Sequence, residues 1–240
     1  MKYFSASQFK SFMDCEAATL AEINGEYERE STVSLLVGSY VDAYFEGTLD
    51  AFKECNPEIF TNKGELRSNF AQANEIIARL ERDEMFMKYM SGEKQVIKTG
   101  KLFGHDWKIK IDSFHPGKAI VDLKIMKDFE PVWVSGMGKV HFIDAWRYDI
   151  QGAIYQAIEG NSLPFYIAGA TKEPSGTDLE IFHIPQHKLD TALKIVEAYI
   201  DRFADVKSGK VEPIRCGRCP YCKSTKVLTN VTEYKEMADE

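Results

Sequence analysis

Between Trp107 and Met126 the chain alternates in polarity around one tight turn, and few architectures admit that pattern. Trp107, Ile109 and Ile111 fall on one face, and Lys108, Lys110 and Asp112 on the other, which is the period of two of a half-buried strand. His115-Pro116-Gly117-Lys118 is turn chemistry, and Ala119 to Met126 returns as a second strand. Gln95 to Lys101, with a turn at Gly104, predicts a strand before them and so a three-stranded meander. Helical spacing lies on either side. Ser5-Ala-Ser7 opens a helix through Phe9, Phe12 and Met13 to about Ile23, where Asn24-Gly25 stops it. A second helix is expected over Val33 to Phe45, a polar stretch over Thr48 to Glu65, and a third helix from about Ser68 to Met90. After the meander, Phe142, Ile143, Trp146, Ile150, Ala153, Ile154 and Ala157 recur at helical steps up to Gly160. Strands over Leu163 to Thr171 and Leu179 to Ile184 and a helix from His187 to Lys207 follow. The expectation is an α/β fold, a mixed central sheet flanked by helices. It forms one unit over 1–240: a mainly helical part over 1–91, a sheet core with helices over 92–208, and a cysteine-containing tail over 209–240.

The two central strands carry the residues with chemistry. Asp122 and Lys124, two apart, leave the same face of their strand. If Asp112 ends its own strand beside them, two carboxylates and an ammonium converge. Two carboxylates with waters and phosphate oxygens can hold Mg²⁺, which activates water and neutralises charge on a scissile phosphate. A lysine there can stabilise the pentavalent state. An acid and a lysine two apart on a strand are commonly a solvated edge or a surface ion pair, so the pattern gains weight only from its company. Gly38 and Asp42 lie on one face of the second helix, where an interior glycine costs about 1 kcal/mol and marks close approach. Gln151 and Tyr155, with Tyr148 on the same face, could bond a phosphate or an attacking water; an ordinary amphipathic helix would show the same spacing.

Composition narrows the function classes. Thirty basic and 37 acidic residues give a net charge of −7, which argues against a dedicated nucleic-acid-binding domain but permits an enzyme that meets DNA in one local groove. No stretch approaches the ~18 apolar residues of a membrane span, and MKYFSASQFKSF lacks the pattern of a secretory leader. A cytoplasmic address is expected, with the five cysteines reduced and either free to bind metal or inert. Cys216, Cys219 and Cys222 have the C-x-x-C spacing of metal ligands; Cys55 has no such partner. The five histidines show no ligand spacing. Trp107, Trp133 and Trp146 could stack on bases, with packing as the default. There is no phosphate-binding G-x-x-x-x-G-K-[ST] loop.

Taken in order, Gly38-x-x-x-Asp42, Asp112, Asp122-x-Lys124 and Gln151-x-x-x-Tyr155 resemble the motifs of the RecB-type and RecE-type exonuclease branch of the PD-(D/E)XK nucleases, from about Ser5 to Tyr155. In that branch the first motif more often ends in histidine, where this chain has Asp42. The resemblance implies a metal-dependent DNA exonuclease. Asp42, Asp112 and Asp122 would be ligands of Mg²⁺ or Mn²⁺, and Asp112, Asp122, Lys124, Gln151 and Tyr155 the catalytic set. It also implies work in phage or prophage recombination or DNA repair, a single-strand annealing protein as partner, and a homo-oligomer. Ser5-Ala-Ser7-Gln-Phe9 through Cys15 resembles a segment of the same branch. There such a cysteine joins three late ones, here Cys216, Cys219 and Cys222, around a [4Fe–4S] cluster; four cysteines equally suit a structural Zn²⁺. Two other readings stay open. One is a CRISPR-adaptation-type or structure-specific nuclease of the same fold. The other is a non-catalytic, metal-stabilised DNA-binding protein, which Asp42 in place of histidine favours.

Overall fold

A computed structural model describes residues 3–231 and 233; the end of the expected tail, at 232 and 234–240, lies outside them. The meander forms as the alternation requires. β1 (Glu93–Leu102), β2 (His105–His115) and β3 (Ala119–Met126) are antiparallel neighbours, with Gly104 (φ 79°) and Gly117 (φ 68°) in the turns. β6 (Phe165–Thr171) pairs in parallel with β3, and β7 (Leu179–Ile184) pairs antiparallel to β6, giving the order β1-β2-β3-β6-β7. Parallel pairing of β3 with β6 needs a crossover, and α7 (Phe142–Ala145) with α8 (Tyr148–Glu159) supplies it.

Side chains alternate across the sheet, so each face carries its own core. One face buries Trp107, Ile109, Ile111, Ile120 and Phe165 against α1 (Ala6–Asp14), α8 and α9 (Gln186–Lys207). The other buries Val121, Leu123, Ala168 and Ala170 against α3 (Val33–Glu46), α5 (Gln72–Glu81) and α6 (Glu84–Tyr89). Burying apolar area at about 25 cal/mol per Å² is what fixes both helical layers on the sheet.

Several elements depart from the expectation. The first helix is two. The chain breaks at Cys15, whose backbone is extended, and the Cys15 sulfur caps α2 (Glu16–Ile23) by accepting from the Ala18 amide at 3.5 Å. The helix expected over Ser68 to Met90 is a 3₁₀ turn followed by α5 and α6. It is restarted at Asp83, whose carboxylate caps the Phe86 amide at 2.9 Å, a local bond that competes with helix propagation. The helix starting at Phe142 breaks at Trp146 and resumes after Arg147, a non-glycine residue at φ 52°. The polar stretch contains α4 (Leu49–Cys55). A hairpin absent from the expectation, β4 (Val132–Val134) with β5 (Gly138–Val140), stands before α7 with Trp133 and Met137 exposed. The tail ends its described part in α10 (Pro220–Ser224). Among the described residues no helix is long and apolar enough to cross a membrane.

Candidate active site and cysteine cluster

Asp112 does not end its strand; β2 runs on to His115. What brings Asp112 to Asp122 is a parting of strands. β2 and β3 pair only at Ser113↔Val121, Phe114↔Ile120 and His115↔Ala119. The next pair in register would be Asp112 with Asp122, and there the ladder opens. Backbone groups freed by such an opening must find other partners. The Asp112 carboxylate takes the Leu123 amide at 3.0 Å, and the Tyr155 hydroxyl donates to the Lys110 carbonyl at 2.8 Å. On the opposite side of β2, Gln95 adopts φ 55° and interrupts the β1–β2 pairing at the level of Asp112. A non-glycine residue held in that region costs on the order of 1 kcal/mol, and here it sits beside the candidate site.

The opened strands form the floor of a cleft of about 620 Å³. Asp42 enters it from α3, Gln151 and Tyr155 from α8, and Lys10 from α1. Gln151 donates from Nε2 to Asp122 Oδ1 at 2.6 Å, and Lys124 forms an ion pair with the other carboxylate oxygen. Lys124 also donates to the Leu123 carbonyl at 3.1 Å. Asp122 is only 2% exposed, so these two partners stand in for water at its carboxylate. The buried Asp42 Oδ1 has no hydrogen-bond partner among the described residues. Tyr148 does not reach the carboxylates; its ring lies beneath the Lys10 and Lys124 ammonium groups, at 5.2 and 5.7 Å.

The electrostatics follow from one buried and two half-buried carboxylates in one cleft. Burial pushes Asp42 up to about 7, with the charge of Asp122 adding to it against the pull of Lys124. Burial and the neighbouring Asp122 raise Asp112 well above the ordinary carboxylate range. Burial draws the Lys124 ammonium down, but Asp122 and Asp112 outweigh it and hold the group above its ordinary value. Burial keeps Tyr155 protonated well beyond neutral pH and pushes Tyr148 up to about 12. A divalent cation fits this donor set: hard oxygens only, one of them buried and unpartnered, with raised carboxylate pKa values that a cation would lower.

Gly38 lies against Ile125, but a Cβ there would meet it at an ordinary 3.8 Å, so packing does not force that glycine. Gly152 is the constrained one. A Cβ on it would come within 2.5 Å of the Phe165 ring and 2.9 Å of Leu189, so α8 seats on β6 only with glycine there. Lys10 is a charged cleft residue that the four ordered motifs do not mark. It lies within the opening helix, and only the packing of α1 against α8 brings it to Gln151.

At the far end of α1 a second cluster forms. Cys15, Cys216, Cys219 and Cys222 have ligand atoms within 4.8 Å of one another, with Cys15 and Cys222 sulfurs 3.5 Å apart and Cys216 and Cys222 sulfurs 3.9 Å apart. The Cys219 amide points at the Cys216 sulfur at 3.3 Å, and the Cys222 amide at the Cys219 sulfur at 3.4 Å. Burial tends to raise the Cys216 thiol, but amide donors from Arg218 and Cys219 bring it down, while burial raises the neighbouring Cys15 and Cys219 thiols. Among the described residues this is the one group of three or more such side chains drawn up to ligand spacing. The aspartates stand further apart, as repelling carboxylates do. Cys55 is exposed and remote from the cluster.

Comparison with known proteins agrees with this geometry. The sequence profile of a PDDEXK-like domain of unknown function (DUF3799) matches residues 5–225. The crystal structure of a candidate exonuclease from Eubacterium rectale superimposes with a TM-score of 0.90 at 52% identity, over 97% of this chain and 91% of that one. A second solved structure, of the protein SSO0001, aligns over 86% of this chain and 91% of that one, but at 13% identity and a TM-score of 0.33 it carries no argument. No curated protein matches. With nearly the whole described chain matched and the opened-strand carboxylate site in place, the chain belongs to the PDDEXK-like family DUF3799, and its fold is that of the PD-(D/E)XK superfamily.

Proposed function

We propose that this protein is a divalent-metal-dependent nuclease that hydrolyses DNA phosphodiester bonds from an end. The observation that carries the reading is the gathering of Asp42, Asp112, Asp122 and Lys124 where β2 and β3 part. The Eubacterium rectale relative, 52% identical and described as a candidate exonuclease, supports it. Asp112 and Asp122, with Asp42 beside them, are the ligands for Mg²⁺ or Mn²⁺. Such an ion would supply an activated water and charge neutralisation at the phosphate. Lys124, held as an ammonium by its two carboxylate neighbours, acts through charge on the developing phosphorane and not as a base. Gln151 fixes the Asp122 carboxylate, and Tyr155 keeps the strands apart through the Lys110 carbonyl. Both also line the cleft, within reach of a bound phosphate or its water.

The four cysteines suit a single metal ion. Four ligands on one Zn²⁺ at about 2.3 Å place their sulfurs roughly 3.8 Å apart, close to the 3.5 and 3.9 Å seen. A [4Fe–4S] cluster puts each thiolate on a different iron and so spreads the sulfurs further. We therefore favour a structural Zn²⁺ over the cluster.

Linear duplex DNA with a labelled end, incubated with protein and Mg²⁺, should be degraded, and EDTA should spare it. A closed circular duplex should survive. Cutting of the circle would make the chain a structure-specific endonuclease, and intact linear DNA under all divalent metals would leave the non-catalytic DNA-binding alternative.

A further inference from the structure

Among the described residues Lys10 is a cleft cation with no direct ion-pair partner. Its amine donates to Gln151 Oε1 at 3.1 Å and stands 5.2 Å from the centre of the Tyr148 ring. It makes no ion pair with a described carboxylate. The other lysines of the cleft are accounted for: Lys124 pairs with Asp122, Lys110 with Glu46 at 2.9 Å, and Lys108 is exposed to water. Lys10 is partly buried and shares the Tyr148 ring with Lys124, so two ammonium groups approach one aromatic from the same cleft. Like charges drawn together out of water raise the free energy, and the amine responds. Burial first, then Lys124, lower it to about 8, against the weaker opposing pull of Asp122 and Asp14 and the added push of Arg147. A group in this setting is completed by an anion arriving in the cleft.

Resting on the nuclease reading, we propose that Lys10 is a substrate-contacting residue: its ammonium binds a phosphate of the cleaved strand, on the α1 side of the cleft and opposite the aspartates. Three features carry this. The amine faces the same cleft as Asp112 and Asp122. Among the described residues its hydrogen-bond partner is the Gln151 amide that also holds Asp122, which links its position to that of the carboxylate. The Tyr148 ring beneath both lysines lets their charges stand side by side, and a phosphate between them satisfies both.

The rival role is that Lys10 merely orients the Gln151 amide, and salt dependence separates the two. Full-length wild type, Lys10→Met, Lys10→Gln and Lys10→Arg are titrated with a short labelled duplex in Ca²⁺, over a series of KCl concentrations. A phosphate contact releases counter-ions. Lys10→Met and Lys10→Gln should therefore weaken binding about tenfold and reduce the slope of log K against log [salt] by about one, while Lys10→Arg keeps both. Lys10→Gln can still donate to Gln151, so it decides the matter even where the methionine variant folds poorly. Wild-type salt slopes in both neutral variants overturn the proposal and leave Lys10 as a support for Gln151, whatever happens to kcat. Binding without cleavage in Mg²⁺ would sink the nuclease reading while the slopes still decide the role of Lys10. Failure of the wild type to bind DNA at all overturns both.

Discussion

Asp42 and Asp112 are each unfavourable as charged carboxylates in the metal-free cleft. Asp42, raised to about 7 by burial, is protonated in the folded metal-free protein where an unfolded chain would be ionised. A carboxyl group raised on folding costs nothing below its unfolded value and its full penalty above its folded one. The metal-free protein should therefore lose stability between about pH 4 and pH 7, by up to about 4 kcal/mol from Asp42 alone. Asp112 acts in the same direction. Thermal melts should show Mg²⁺ raising Tm more at pH 8 than at pH 5, and metal-free Asp42→Asn should be more stable than wild type at pH 8. A Mg²⁺ effect independent of pH would remove the carboxylates from the metal site. The activity counterpart is equally direct. Asp42→Ala should raise the Mg²⁺ concentration for half-maximal cleavage several-fold, and Asp42→His should recover part of the loss with a shift toward Mn²⁺. Superimposable metal titrations would place Asp42 outside the coordination shell. Asp112→Asn, Asp122→Asn and Lys124→Ala should each abolish cleavage without additive effects, as groups sharing one step do; near-normal turnover by purified Asp122→Asn would rule the site out.

At the scale of elements, the site depends on where regular structure stops. The β2–β3 ladder ends at Ser113↔Val121, the helical layer breaks at Cys15, and α8 follows Arg147, whose guanidinium pairs with Asp14 at 2.5 Å. Each break has a named side chain beside it: Asp112, Cys15 and Arg147. The close seat of α8 on β6 fixes Gln151 and Tyr155 against β3. Gly152→Ala puts a methyl 2.5 Å from the Phe165 ring and should destabilise the protein by about 1–3 kcal/mol as an overpacked core does. Because the shift displaces Gln151, the loss of kcat should exceed what the unfolded fraction explains. Urea unfolding and single-turnover cleavage on the same preparation check this, and unchanged values in both would show that α8 has slack.

Across the whole molecule, the cysteine cluster ties the two ends of the described chain together. Cys15 joins Cys216, Cys219 and Cys222, the Ala17 amide bonds the Ile214 carbonyl at 3.2 Å, and Arg202 grips Glu16 while the Ile214 amide bonds the same carboxylate. The clasp sits where α1 ends, and α1 brings Lys10 to the cleft. Purified protein should be colourless with about one zinc per chain. Cys219→Ser should lose the metal, lower Tm and open the segment 208–225 to protease, with DNA binding weakened more than the carboxylate site's affinity for Mn²⁺. Brown protein carrying iron would restore the cluster reading, and metal-free protein with wild-type protease resistance would make the cysteines simple packing.

Periodicity in the sequence determined the meander, the mixed sheet with helices on both faces, and the placement of Asp122 and Lys124 on one side of β3, because alternation and helical spacing are local properties. The ordered motifs likewise marked Asp42, Asp112, Gln151 and Tyr155, all of which line one cleft. Other features were beyond local pattern. Asp112 lies mid-strand because a ladder opens there, which depends on Tyr155 and Gln95 in other elements. The break at Cys15 falls where three cysteines some two hundred residues later gather around it. The β4–β5 hairpin has strands of three residues each, too short to show a period. Lys10 shows no spacing at all; the charges that surround it come from β3, from α1 itself and from the start of α8. Local sequence sets which face a side chain takes, but only the packed structure decides which distant charges it meets and how far water is kept away, and those two quantities give this cleft its chemistry.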